Sequence, residues 1–174
     1  MKTLIAEAKL VYAVAGLDCG DALLPPADQA EVDGISVALS LALPAELREL
    51  FRVHGGQRYV SPGVTGLFGE HRLHTPAEVI ELHRMFAKYS LLDPLPVFPP
   101  SANDWGHWIP DLIPFASWDA NYLCVHATTG QVWEFGTNTG LIRHRPSIAA
   151  VLREVIAAVR AGGEPQMGEM RCSP

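Results

Sequence analysis

Apolar positions recur with a helical period toward both ends of the chain and with a shorter, strand-like period between them. Over residues 2–15, Leu4, Ile5, Ala8, Val11, Tyr12 and Ala15 fall at i, i+3, i+4 spacing, which predicts a first helix ended by Gly16 and Gly20. The stiff Pro25-Pro26 step leads into a second helix expected over residues 27–42, with Ala30, Ile35, Ala38, Leu39 and Ala42 inward and Gly34 weakening it. Leu43-Pro44 puts proline in the first turn of a third helix, whose buried face carries Leu47, Leu50, Phe51 and His54. Gly55-Gly56 reads as its left-handed stop. Thr75-Pro76-Ala77-Glu78 is a capping box that opens a fourth helix reaching Lys88, with Val79, Leu82, His83 and Phe86 facing the core.

Short extended pieces are expected at Tyr59-Val60 and Val64–Phe68, and the prolines at 94, 96, 99 and 100 exclude a regular element there. Strand character then dominates: Asp111–Phe115, Asn121–His126, Gln131–Phe135 and Leu141–Arg143, joined by turn-rich stretches at 127–130 and 136–140, predict an antiparallel meander. A last helix over Pro146–Ala161 has Ile148, Val151, Leu152, Val155, Ile156 and Val159 as its stripe, and Gly162-Gly163 stops it. Helices, then a sheet, then a helix give the α+β class: one domain with a mostly antiparallel sheet flanked by helices. The expected division is an N-terminal helical extension over 1–24, the main domain over 25–161 and a flexible tail over 162–174.

Composition narrows the function. With 174 residues, 48% hydrophobic and 18% charged, the chain can bury a sizeable core. Thirteen basic against 19 acidic side chains give a net charge of −6 with no basic stripe, which argues against nucleic acid as a partner and suits a basic protein. The longest apolar run near the start, Leu10–Leu17, is far below the roughly 18 residues of a membrane span. Glu7, Lys9 and Asp18-Cys19-Gly20 do not fit a secretory leader, so a cytoplasmic protein is expected. Cys19, Cys124 and Cys172 form no CxxC pair and fit a reducing compartment.

Four constellations carry candidate chemistry. Cys124 and His126 are two apart on an expected strand and share a face, the minimal set for a thiol nucleophile; the competing reading makes Cys124 a core filler and His126 a strand end. His71 and His74 fall on opposite faces of an extended segment and His83 points inward, so the histidines read as structural, with no metal. The glycines at 63, 66 and 69 lack the lysine and helix start of a phosphate loop, and no cofactor is expected. Trp105, Trp108 and Trp118 lie amid Asp104, Asp111 and Asp119, a composition suited to gripping a protein partner, with Glu134 as a more distant candidate. Trp108 and Trp118 can equally be core rings.

Two stretches in order carry a resemblance: Leu43-Pro44 through Gly55-Gly56, after Pro25-Pro26-Ala27, and Trp108–Ala116 running on to Asn121–His126 and Thr129–Phe135. Together they resemble the SUKH superfamily, in the branch named for a yeast cell-wall assembly regulator, over residues 25–161. The resemblance implies an α+β domain without catalytic residues. It further implies an immunity protein that binds and neutralises a toxin delivered between bacterial cells, nucleases among them. The alternative it carries is a regulatory scaffold that gathers proteins without inhibiting an enzyme. The sequence departs from relatives at His126, where many have Asp, and at Ala116–Ala120, which lacks a common glycine.

Overall fold

A computed structural model describes residues 1–17, 19, 22–58, 66–90, 108–137 and 140–162. Three helices come first: α1 (Lys2–Val14), α2 (Gln29–Leu39) and α3 (Ala45–Val53). A two-residue strand β1 (Arg72–Leu73) and α4 (Pro76–Ser90) precede β2 (Leu112–Trp118), β3 (Asn121–His126), β4 (Val132–Gly136) and β5 (Gly140–Arg145), and α5 (Ile148–Arg160) closes the chain. The strands form one sheet in the order β1-β2-β3-β4-β5, every pair antiparallel, so the α+β meander read from the pattern is the fold found. The extended piece at Tyr59-Val60, the proline-rich stretch and the tail beyond residue 162 lie outside the described residues.

Local chemistry fixes where the helices begin. Thr75 Oγ1 accepts from the Glu78 N–H and the Glu78 carboxylate accepts from the Thr75 N–H, the reciprocal box expected for α4. A second box, Asp28 with Glu31, starts α2, and Ser147 caps α5 by accepting from the Ala150 N–H. Arg72 donates to both oxygens of Glu78, tying β1 to the start of α4.

Alternate residues of β3 feed two separate cores. Leu123 and Val125 join Ile113, Phe115 and Val132 under α1, α3 and α5, where all six residues of the predicted α5 stripe are buried. Cys124 points the other way, into a smaller cluster with Leu112, Phe135, Leu141, Trp108 and Phe86 of α4. The helix α4 serves both, contributing Val79 to the first and Phe86 to the second.

Several details depart from the sequence pattern. In α2 the buried residues are Val32 and Ile35; the alanines expected inward stay partly or fully exposed, because the helix starts only at Gln29 and its small side chains contribute little contact. Pro44 is the N-cap of α3, one position outside the helix. Gly55-Gly56 is not the left-handed stop it resembles: His54 ends α3 in an extended conformation, and Gly55 donates to the Pro25 carbonyl at 2.7 Å. A Cβ on Gly55 would lie 2.8 Å from that oxygen and 2.9 Å from the Ala27 nitrogen, while Gly56, at φ 138°, passes equally close to Thr75. Gly55 is there to let the 25–27 segment cross, and Gly56 to let Thr75 approach. The first helix, set apart in the sequence, lays Ile5, Ala8 and Tyr12 into the main core along α5, with Arg160 on Glu7 at 2.8 Å. Tyr12 also donates to the Leu67 carbonyl and accepts from the Gly69 N–H.

His71 and His74 are buried beside β1, and burial, with the nearby charges of Arg145 and Arg72 respectively, pushes each down to about 4. Arg72 donates to His74 Nδ1 at 3.3 Å, a bond a neutral ring alone can accept. Both groups bind protons in the unfolded chain from about pH 6.5 downward but stay neutral when folded, so stability is full above that pH and declines as pH falls toward 4. We expect urea unfolding to lose up to about 1.4 kcal/mol per pH unit for each histidine between pH 6.5 and 4.5. A midpoint constant across that range would refute their buried neutral state. Gly55→Ala is expected to cost about 1–3 kcal/mol in the same assay through the clash with the 25–27 backbone; an unchanged midpoint would show that the crossing can relax.

Candidate interaction surface

The hairpin between β2 and β3 turns in two residues, Asp119 and Ala120, since Trp118 pairs with Asn121. Asp119 takes φ 50°, a left-handed conformation that aspartate tolerates better than most residues, which is how the turn closes without glycine. At this tip Trp118 is 47% exposed and Asp119 is exposed. Tyr122, the neighbour of Ser117 across the hairpin, is half-buried against Phe86, and burial, with the Asp119 charge a lesser cause, raises its pKa.

The other sequence candidates do not gather there. Trp108 is a correction: it is 3% exposed, with its ring 4.7 Å from that of Phe86 in α4 and 5.4 Å from that of Phe135 in β4, so it fills the second core and presents no surface to a partner. A ring of that size buries more apolar area than an aliphatic side chain would at the same position. Asp111 is exposed, but it precedes β2 while Asp119 follows it, so the two stand roughly 25 Å apart along the strand. Glu134 is largely buried and accepts from Arg145 at 3.4 Å, within a cluster in which Glu154 of α5 accepts from both Arg143 and Arg145. Burial raises the Glu154 pKa, yet the arginine hydrogen bonds and charges outweigh it and hold the carboxyl low. This network holds β4, β5 and α5 together. Asp104 and Trp105 lie outside the described residues.

The thiol–imidazole pair is not assembled for catalysis. Cys124 is fully buried, and burial pushes its thiol well above the ordinary range, so it is not a thiolate. His126 Nδ1 accepts from the N–H groups of Thr128 and Thr129, which commits that nitrogen to the β3–β4 turn. His83 donates through Nε2 to the Pro110 carbonyl at 2.8 Å, anchoring the start of the sheet to α4. Among the described residues no group of three or more His, Cys, Asp or Glu is placed to hold a metal ion, and no helix is long and apolar enough to cross a membrane.

What sequence reasoning missed is the row beside Trp118. Asn121, Gly136 and Gly140 are in register with it across three strands, so beyond Asn121 the row carries no side chains. The glycines are visible as turn residues in the sequence, but their alignment with Trp118 requires the strand register.

No curated protein matches the chain. The family model described as SMI1 / KNR4 family (SUKH-1) matches residues 26–154. That span runs from just before α2 into α5 and takes in all five strands, leaving α1 in front of it. With well over half its length matched, and with the meander and flanking helices inside the matched span, the chain belongs to the SMI1 / KNR4 family (SUKH-1).

Proposed function

We propose that this protein is a cytoplasmic, non-enzymatic immunity protein that binds a cognate protein toxin delivered between cells and neutralises it by direct contact. The observation that carries the reading is the β2–β3 tip, where an exposed tryptophan and an adjacent exposed carboxylate stand on a tight turn. Tryptophan ranks among the residues that contribute most to protein interfaces, and a fixed turn loses little freedom on binding. Family membership supports a role in binding other proteins, and the net charge of −6 suits a basic partner such as a nuclease. Asp111, at the other end of β2, is proposed as a separate outlying contact, and Asp104 and Trp105 are kept as partner-binding candidates on composition alone.

Co-expression with the product of the adjacent gene, followed by tagged purification and a growth assay, tests the reading. A stable complex with rescued growth is expected; neither complex nor rescue would overturn neutralisation in favour of a regulatory scaffold. In that complex Trp118→Ala is expected to weaken binding by about 2 kcal/mol, near thirtyfold, by calorimetry, with unfolding unchanged. Full affinity in the variant would remove the tip from the interface. In a Cys172→Ser variant, with peptide mass mapping to separate Cys124 from Cys19, Cys124 should resist a thiol reagent until the chain is unfolded; rapid labelling of Cys124 in the native protein would reopen a thiol chemistry.

A further inference from the structure

We infer that the β2–β3 tip is a receptor for an arginine side chain of the partner, with the guanidinium stacked on the Trp118 indole and hydrogen-bonded to the Asp119 carboxylate. This rests on the reading of the protein as one that acts through protein contact, and it names the chemistry the tip selects.

Three observations converge on it. Charged side chains in this structure are commonly paired: Arg72 with Glu78, Arg143 and Arg145 with Glu154, Arg48 with Asp33, Arg160 with Glu7. Asp119 has no hydrogen bond or ion pair through its carboxylate, and Trp118 has no ring contact, among the described residues. The anion and the π-face are therefore both left over among the described residues, on consecutive residues of one turn. Second, the row in register with Trp118 continues through Asn121 into Gly136 and Gly140, so on this side of β2 the described strands beyond Asn121 place no side chain in the row of the indole. Third, Asp119 is held at φ 50° in a two-residue turn, which fixes where its side chain leaves the backbone.

An aromatic face beside a carboxylate favours a cation, and it favours arginine over lysine. The guanidinium is planar, weakly hydrated and able to stack while its N–H fork reaches a carboxylate, whereas an ammonium is compact and strongly hydrated. An apolar partner side chain would satisfy Trp118 but desolvate Asp119 without compensation.

The test uses the full chain, nitrogen-15 labelled, and three acetylated pentapeptide amides, Gly-Gly-Xaa-Gly-Gly, with Xaa arginine, lysine or citrulline. The indole N–H signal of Trp118 is assigned by its loss in Trp118→Leu. The arginine peptide is expected to shift that signal saturably, the lysine peptide to bind several-fold more weakly, and the uncharged citrulline peptide to leave it in place. Asp119→Asn, which keeps a residue tolerant of the turn, should weaken the arginine peptide about three- to fivefold. Equal binding of arginine and lysine, no shift at Trp118, or full affinity in Asp119→Asn would each overturn the inference. The titration needs no toxin. If it fails while a toxin complex forms, the arginine site falls and neutralisation stands. Saturable arginine binding without any toxin complex keeps the site and removes neutralisation.

Discussion

The strand β3 must satisfy two cores at once, and the rest of the molecule is arranged around that requirement. Leu123 and Val125 on one face and Cys124 on the other are all fully buried. A register slip of a single residue would exchange the two faces and mismatch both clusters, so pairing with β2 and β4 is strongly specified. Because both faces are covered, helices are needed on each side. The large face takes α1, α3 and α5, while the smaller takes the second half of α4 and the ring of Trp108. The charge cluster of Glu134, Arg145, Glu154 and Arg143 then ties the sheet's far strands to α5, where removal of Glu154 would take two hydrogen bonds from a buried arginine.

How much of this was legible depends on whether a feature is set locally. The α5 stripe, the Thr75–Glu78 box and the meander could be read off because period, cap and turn residues are neighbours in sequence. Gly55-Gly56 could not be read correctly, since Gly55 is required by a chain segment some 30 residues earlier and Gly56 by Thr75, and a glycine serving close approach looks like one serving a left-handed turn. The same holds for α1: its stripe is evident, but that it lies in the main core along α5 depends on a contact across most of the chain. For the candidate surface, Trp118 and Asp119 were identifiable as adjacent candidates between two expected strands, though the two-residue turn between Trp118 and Asn121 was not. Clustering of the wider set was not, because a strand converts short sequence separation into a long distance and sends Asp111 and Asp119 to opposite ends of β2.

The sheet leaves few places for a partner to engage. Its faces are covered, which removes the central apolar residues from contact. Its edge at β5, unpaired among the described residues, is guarded: Arg143 and Leu141 pair with the consecutive residues Glu134 and Phe135, making Ile142 an extra residue that breaks the ladder, and Pro146 follows directly. An irregular, charged edge ended by proline resists addition of another strand. At the hairpin tip the opposite choices are made. A large ring is left half in solvent, a carboxylate is left without a hydrogen bond or ion pair among the described residues, and the adjoining row is emptied to asparagine and glycine. A chain optimised only for stability would gain by burying the tryptophan and relieving the left-handed aspartate with a glycine. Leaving both unresolved on a turn anchored by a rigid meander keeps a preorganised aromatic–anionic contact available, and that is the physical basis for placing recognition at the tip and not on the faces or edge of the sheet.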